Sequence, residues 1–243
     1  MSKNSSLSHR LTNDLRRDII AGVVEPGAWL KTEELAARYG VSANPVREAL
    51  WRLQGEGFVV ANPNRGARVR TVDDDFIRNI FEIREAIEPI FVRRFCQRAT
   101  PQHLDRLRAA ADAFAEVAAN PLADFEALEA ANRDYHAIIL EGEFNIPAIE
   151  AMDRYAGIIN ATRAKLPITL SRLRQRINQH HEIIEAIAAG DAEMAARIAM
   201  EHVRGAGDDL LSLMRQARTN GVRHPRLAEP TRAARKAPAD SAS

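Results

Sequence analysis

Residues 32–57 read TEELAARYGVSANPVREALWRLQGEG and contain two short helical patterns separated by a turn. Thr32 is suited to be the N-cap of the first helix, and Gly40 is suited to end it. Ser42 is suited to be the N-cap of the second helix, whose apolar residues recur at helical spacing. The residues expected to point inward on that second helix are Val46, Ala49, Leu50 and Leu53. Two short helices joined by a tight turn of roughly three to four residues are typical of a helix-turn-helix.

The flanking segments extend this motif to a winged helix. Upstream, Leu11, Leu15 and Ile19 repeat at the spacing of one helical face. Downstream, the β-branched runs FVVAN and ARVRT surround the turn PNRG, which is typical of a hairpin with Gly66 at its tip. The order of helix, short helix, second short helix and hairpin predicts a winged helix-turn-helix over residues 8–72.

The remainder of the chain predicts helices only. Between residues 73 and 218 the pattern is helical, interrupted by breaks that contain proline, glycine or asparagine. These breaks fall at residues 100–101, 120–121, 142–147, 167–169 and 190–191. Pro89 lies inside the first helix, where a kink is expected rather than an end. We predict a mainly α protein in which about six helices form a C-terminal antiparallel bundle. Residues 219–243 lack an apolar stripe and are predicted to be disordered.

The composition indicates a globular protein with two domains and a basic N-terminal part. Hydrophobic residues make up 46% of the 243 residues, and no apolar run approaches the roughly 18 residues that span a bilayer. The opening residues lack the apolar core of a signal peptide, and Cys96 is the single cysteine, so we expect a cytoplasmic protein with no membrane partner. Residues 1–70 contain 11 Lys and Arg against 7 Asp and Glu, whereas residues 71–220 contain 18 against 24. A basic head on an acidic body favours contact between the head and phosphate.

The exposed side of the second short helix has the chemistry of a DNA-reading surface. Arg47 and Arg52 lie opposite its apolar face, and arginine offers a bidentate donor fork to guanine or phosphate. Asn44 can pair with adenine, and the free backbone N–H groups beside it at the helix N-terminus favour phosphate. The predicted DNA-binding residues are Thr32, Ser42, Asn44, Arg47, Arg52, Arg65 and Gly66. The alternative for any one arginine is that it only keeps the surface hydrated, but the whole set on this helix order favours double-stranded DNA.

Several motifs occur in an order and at a spacing that resemble a protein family. The motifs PG, ELAARYGVS, PVREAL, EGFV and PNRGARV resemble the winged helix of GntR-type regulators. The motifs IREAIEP and HEIIEAIAAGDAEMA resemble the FCD-type sensor domain of the FadR subfamily, and the whole resemblance covers residues 8–215. It implies that Arg47 contacts an operator and that Gly66 enters the minor groove. Many members carry arginine-threonine where this chain has Ala43-Asn44, so the resemblance does not imply a particular operator sequence.

Three histidines occupy positions from which they could meet. His136 follows Asn132 by four residues, so both side chains lie on one helical face. His180 lies ten residues before Gly190, and His202 lies eleven residues after the following aspartate. At about 1.5 Å per residue, both lie about 15–17 Å from that turn, level with each other in an antiparallel helix pair. Imidazoles at one height on facing helices can share a divalent metal, and the alternative is that they are buried and hydrogen-bonded.

His181 is the competing candidate for His180, and the apolar spacing separates the two. Three, four and seven residues after His180 the chain has isoleucine, whereas the same positions after His181 include Glu185. His180 is therefore predicted to face the core. The other histidines have no such context and are expected to be solvated: His9, His103 and His224.

The resemblance to FCD domains implies a metal site and an effector. Many members bind a divalent metal through an Asp or Asn and three histidines. The matching residues here are Asn132, His136, His180 and His202. We expect zinc, with nickel, manganese or no metal as alternatives, and the neutral amide oxygen favours weaker binding than a carboxylate would. A small carboxylate effector is implied beside the metal. Arg84 and Arg163 are the candidates to pair with that effector, and the alternative for both is a surface or interhelical salt bridge.

Together these features predict a homodimeric transcription regulator, a repressor or less commonly an activator, on a palindromic operator. Effector binding would change its DNA affinity, and the helix after Asp73 is the expected route between the two parts. A metal-dependent enzyme is the alternative, because a histidine-lined bundle can activate water. No Asp or Glu is an evident general base beside the histidines, so we expect no enzymatic activity. A constitutive architectural DNA-binding protein is a third possibility, which the large helical domain disfavours.

Overall fold

The computed structural model describes residues 3–62, 66–120 and 122–220. Helices dominate these residues, and the strands form one small sheet in the N-terminal part. The helices are α1 (Lys3–Ala21), α2 (Thr32–Tyr39), α3 (Ala43–Gly55), α4 (Asp74–Arg98), α5 (Pro101–Ala119), α6 (Phe125–Leu140), α7 (Ile146–Asp153), α8 (Ala156–Arg163), α9 (Leu170–Ala188) and α10 (Ala192–Thr219). The strands are β1 (Trp29–Leu30), β2 (Val59–Asn62) and β3 (Gly66–Val69). The predicted fold class, a winged helix-turn-helix followed by a helical bundle, is confirmed.

The winged head, α1 to β3, packs around an apolar core. α1 contributes Leu11 and Leu15, and α3 contributes Val46, Ala49 and Leu53, all of them at most 3% exposed. These are positions that the helical spacing placed inward. Full burial of a leucine or valine side chain stabilises a fold by about 1.5–3 kcal/mol, so this core holds α3 firmly against α1.

The sheet has three antiparallel strands in the order β1-β3-β2, of which the sequence predicted two. β2 and β3 form the wing, in which Asn62 is paired with Gly66. Gly66 begins β3 rather than forming the tip, and its φ of +83° is one that glycine adopts without strain. β1 is only two residues long, too short to show a period of two, so the sequence pattern did not reveal it.

The ends of α2 and α3 follow the predicted capping with one change. The N-cap of α2 is Lys31, and Thr32 is the first helical residue, so the prediction of Thr32 as N-cap was wrong by one position. Gly40 ends α2 in the left-handed conformation with φ +64°, as predicted. Ser42 is the N-cap of α3, although its side chain makes no capping hydrogen bond. The turn between the two helices is therefore the one expected of a helix-turn-helix.

The described part of the bundle contains seven helices, one more than the roughly six that were predicted. The extra break lies at residues 154–155, between α7 and α8, where no glycine or proline marks it. α4 is 25 residues long, does not end at Pro89, and lies along α10. Gly207 permits that contact, because a Cβ there would lie 2.8 Å from Cγ of Phe81. The backbone of α10 at Gly207 therefore packs directly on the Phe81 ring of α4, which leaves no room for a larger residue at position 207.

The C-terminal limit of the described chain lies just beyond α10. This helix ends at Thr219 with Asn220 as its C-cap, so the prediction that residues 219–243 are disordered was wrong for these two residues. Residues 221–243 lie outside the described residues. Among the described helices, none is both long enough and apolar enough to cross a membrane.

Candidate functional site

Three histidines from different helices meet inside the bundle. His136 lies on α6, His180 on α9 and His202 on α10, and each offers a ring nitrogen within 4.8 Å of the others. The ring centroids of His180 and His202 are 5.1 Å apart, which agrees with the level positions predicted from residue counts. His136 completes the group at 5.7 Å from His180 and 5.8 Å from His202. We call these three residues the histidine cluster, and its spacing could hold one metal ion.

Three buried polar atoms of the candidate metal ligands lack hydrogen-bond partners among the described residues. Both ring nitrogens of His180 and Oδ1 of Asn132 are buried without a partner. Tyr135 stacks on the His180 ring at a centroid distance of 4.0 Å, which holds the imidazole in place without engaging its nitrogens. A buried polar atom without a partner costs about 1–3 kcal/mol, so these three atoms fit a bound group that satisfies them.

Burial keeps the three imidazoles neutral. It lowers the pKa of His136 and lowers the pKa values of His180 and His202 well below their usual range. A neutral imidazole has a lone pair to donate, and this is the form that binds a metal. In His202, Nδ1 lies 3.0 Å from Oε1 of Gln179, so donation of the Nδ1 proton leaves Nε2 free. Three imidazoles and the amide oxygen of Asn132 form a donor set that fits a divalent transition metal.

The other described histidines lie outside the cluster. His181 is half-buried whereas His180 is fully buried, so the preference for His180 that came from apolar spacing agrees with their burial. His103 is not simply solvated, because its Nδ1 accepts a hydrogen bond from the backbone and completes the capping box at the start of α5. His9 is exposed, as predicted, and His224 lies outside the described residues.

A cavity of about 360 Å³ lies beside the histidine cluster, and we call it the main cavity. Its walls include His136, His202 and both arginines that were predicted to bind an effector. Arg84 is already paired, because its Nε donates to Oε1 of Glu88 at 2.6 Å. Arg163 has no carboxylate within ion-pair distance in the described part of the chain. Burial lowers its pKa to about 9, so it stays protonated at neutral pH in surroundings that favour an anion.

α8 lies against both the main cavity and the winged head. Tyr155, just before α8, packs on the head so closely that a Cβ at Gly57 would lie 2.6 Å from its ring. Ile158 belongs to the core of the head. Asn160 and Arg163, further along the same helix, line the main cavity. One helix of eight residues therefore contacts both the candidate effector site and the winged helix, and the sequence reasoning did not predict this.

α3 presents polar side chains to solvent at its N-terminal end. Ser42, Asn44 and Arg47 are exposed, and Nη1 of Arg47 donates to Oδ1 of Asn44 at 3.2 Å. The two side chains that could read bases are therefore adjacent on the outer face of the helix. Two further candidates, Thr32 and Arg52, are half-buried. Ser42, Asn44 and Arg47 are therefore the accessible members of the predicted helix-turn-helix surface.

The wing is only partly described. Gly66 is exposed at the start of β3, whereas Arg65 lies outside the described residues. Arg70, which directly follows β3, is engaged within the protein, because its Nε donates to the carbonyl of Gly57 at 2.6 Å. Its guanidinium also lies 4.9 Å from the ring centroid of Phe76 at the start of α4. Arg70 therefore connects the wing to the bundle.

Trp51 on α3 is an exposed residue of the head that the sequence reasoning missed. It follows Arg47 by four residues, and 71% of its surface is exposed. Residues four apart share a helical face, so Trp51 extends the face that carries Arg47. The signal was present in the sequence, because position 51 falls outside the apolar spacing that placed its neighbours inward. A large exposed ring on this face marks a candidate contact to DNA sugars or thymine methyl groups.

Comparison with known proteins matches both parts of the chain to families. Residues 7–69 match the model of the bacterial regulatory proteins of the gntR family, and residues 79–205 match the FCD domain. The Nta operon transcriptional regulator of Aminobacter aminovorans is 27% identical over 197 residues, covering 80% of this chain and 90% of the relative. The HTH-type transcriptional repressor RspR of Escherichia coli (strain K12) is 25% identical over 211 residues, covering 84% and 89%.

A solved structure supports the same assignment. E. coli McbR/YncC superposes with a TM-score of 0.61 at 26% identity, covering 87% of this chain and 99% of that protein. These relatives are transcription regulators, which leaves the metalloenzyme alternative without support. The chain therefore belongs to the GntR family of bacterial regulatory proteins, and it is a DNA-binding transcription regulator, not an enzyme, that carries an FCD sensor domain.

Proposed function

We propose that this regulator is a cytoplasmic homodimeric repressor whose affinity for a palindromic operator changes when a small carboxylate binds in the main cavity. The observation that carries the proposal is the position of α8. This helix lines the main cavity with Arg163 and packs on the winged head at its other end, beside Tyr155. Repression is favoured over activation by the similarity to RspR, which is a transcriptional repressor.

The experiment that tests DNA binding uses the full-length protein and the DNA upstream of its own gene. Each contact to a DNA phosphate makes the DNA affinity fall more steeply as the salt concentration rises, because binding releases counterions from the DNA. We expect affinity to fall at least about tenfold between roughly 50 and 200 mM salt. A specific complex should survive an excess of unrelated DNA at low salt. Binding that is equally strong on unrelated DNA would contradict an operator-specific regulator.

We infer that a divalent metal, zinc first and nickel or manganese as alternatives, belongs in the histidine cluster. The residues that would hold it are Asn132, His136, His180 and His202. The orphaned nitrogens of His180 and the orphaned oxygen of Asn132 support this assignment. When bound, such an ion supplies a Lewis-acidic anchor for a carboxylate.

Arg163 is the residue that we expect to bind the carboxylate of the effector. Its guanidinium is held in the wall of the main cavity without an acidic partner among the described residues, so an anion there would offset a charge that is otherwise costly to bury. A planar guanidinium can also grip a carboxylate through two parallel hydrogen bonds. Arg84 has a lesser role in this proposal, because Glu88 already neutralises it.

α8 gives effector binding a direct route to the DNA-binding head. An anion that draws Arg163 toward the main cavity would pull on the helix whose other end carries the contact between Tyr155 and Gly57. Phe76 meets the Tyr155 ring edge to face at 5.5 Å, so the start of α4 shares the same contact. The sequence predicted that α4, the helix after Asp73, carries the effect of effector binding to the head. In this proposal α4 and α8 carry it together. A small shift there would change how the two heads of a dimer meet DNA.

The exposed face of α4 is the surface that we propose for dimerisation. Ile83 and Ile90 are 42% and 38% exposed, and Ala86 between them is also exposed. Their spacing of three and four residues forms an apolar seam of the kind that pairs two helices. Two copies joined along this seam would present two heads to half-sites about 34–36 Å apart.

Replacing Ile83 by aspartate should convert the dimer to monomers, because two buried carboxylates would face each other across the seam. Light scattering coupled to size exclusion should show one chain in place of two, together with weaker operator binding. Ile146→Asp is the matched control, since Ile146 is 53% exposed and lies on α7, not on the helix that carries the seam. A variant at Ile83 that stays dimeric would place the interface elsewhere.

A further inference from the structure

A second cavity of about 90 Å³ adjoins the main cavity, and we call it the distal cavity. It lies where the segment after α8 crosses α6, α9 and α10. Two residues, Glu129 and Arg163, belong to the walls of both cavities. Arg163, the proposed partner of the effector's carboxylate, therefore lies between the main cavity and the distal cavity.

The walls of the distal cavity are mostly apolar. They include Leu128, Leu166, Leu173 and Leu210. Ile168, in the segment between α8 and α9, also lines this cavity and is 43% exposed. Branched aliphatic side chains of this kind have no hydrogen bonds to offer, so the space is suited to hydrocarbon. Water beside these aliphatic side chains makes no hydrogen bonds to them, which favours its displacement by an apolar group.

The charged groups around the distal cavity are neutralised except at Arg163. Nε of Arg172 lies 2.8 Å from Oδ2 of Asp209, and Nη2 of Arg176 lies 3.4 Å from Oε1 of Glu129. Each of these arginines therefore has its own carboxylate, and Arg163 is left with none among the described residues. Among the described charged residues in the walls of the distal cavity, Arg163 is therefore the one without an ion-pair partner.

We propose that the effector is an amphipathic carboxylic acid, with its carboxylate beside Arg163 and its hydrocarbon end in the distal cavity. This inference rests on the proposed carboxylate effector and narrows its class. A short acid such as acetate would satisfy Arg163 but leave the distal cavity empty. A longer acid satisfies Arg163 and also buries apolar surface, so chain length becomes the feature that the site selects.

The test is calorimetric titration of the full-length protein with acetate, butanoate, hexanoate and octanoate. We expect affinity to rise about fourfold per added methylene until the distal cavity is full, which corresponds to about 0.8 kcal/mol per buried methylene. Ala206→Leu places a larger side chain in the wall of this cavity and should abolish the rise while leaving the affinity for acetate within about twofold. Leu213→Ala enlarges the same wall and should extend the rise to longer acids.

Ala217→Leu is the matched control, because this alanine lies on the same helix outside the walls of both cavities. It should reproduce the wild-type dependence on chain length. Equal affinity for all four acids would overturn the assignment of the distal cavity while leaving a carboxylate effector in place. Binding of no acid of any length would instead overturn the carboxylate effector itself. An unchanged dependence in both Ala206→Leu and Leu213→Ala would place the hydrocarbon elsewhere.

Discussion

Replacing Arg47 by alanine weakens operator binding by about 1–3 kcal/mol, or roughly 5- to 150-fold, in our account. The physical reason is the loss of a bidentate donor on the exposed face of α3, next to Asn44. Arg47 is exposed, so the fold of Arg47→Ala should be unchanged by circular dichroism and thermal melting. The affinity is measured by fluorescence anisotropy on labelled DNA from upstream of the gene.

Arg174→Ala is the control for this prediction. It removes the same charge from an exposed position on α9, far along the chain from the head, and should change affinity by less than about twofold. The salt dependence then separates two roles for Arg47. A base contact leaves the slope unchanged and relaxes sequence preference, whereas a phosphate contact lowers the slope by about one. Unchanged affinity in Arg47→Ala would remove it from the DNA surface.

Replacing His180 by glutamine lowers the affinity for a divalent metal by at least roughly 100-fold, because even a residue behind the ligands costs 10- to 100-fold. Glutamine is close to histidine in size and polarity, so it limits disturbance of the packing against Tyr135. The measurement is metal content after dialysis, paired with the thermal stabilisation that added zinc produces. Wild-type protein should gain stability with zinc, and the variant should not.

His181→Gln is the matched control for the metal. It makes the same change one position along α9, at a half-buried site outside the histidine cluster. Its metal content should equal that of the wild type. If both variants kept the wild-type content, the histidine cluster would be a buried polar group without a metal. If His181→Gln alone lost the metal, the assignment of ligands on α9 would be reversed.

Much of the fold was predictable because apolar spacing and capping residues indicate where helices begin, run and end. The inward residues of α3 and the turn at Gly40 were correct, since both depend on local periodicity and on a glycine that adopts a positive φ. β1 and the break between α7 and α8 were missed. β1 is too short to show a pattern, and no glycine or proline marks the break at residues 154–155 in the sequence.

The candidate site was predictable to a similar degree. His180 could be separated from His181 because three isoleucines follow it at helical spacing, and its full burial reflects that face. The helix that joins the main cavity to the head could not be predicted, because Ile158 and Arg163 lie on one short helix whose two faces are buried against different partners. Such a connection is a property of tertiary packing. The sequence could not separate the two predicted effector-binding arginines, Arg84 and Arg163. In the structure Arg84 is paired with Glu88, whereas Arg163 has no carboxylate partner among the described residues.

The central claim is that the main cavity controls the head through α8, and one measurement tests it most directly. Operator affinity is determined with and without saturating hexanoate for the wild type and for Tyr155→Leu, which removes the ring from the contact with Gly57. We expect the acid to change wild-type affinity by about 5- to 150-fold, the range of ordinary allosteric coupling. Tyr155→Leu should still bind DNA and acid separately, with the coupling reduced to within about twofold. Wild-type protein that binds the acid but holds its operator with the same affinity in both conditions would contradict the account.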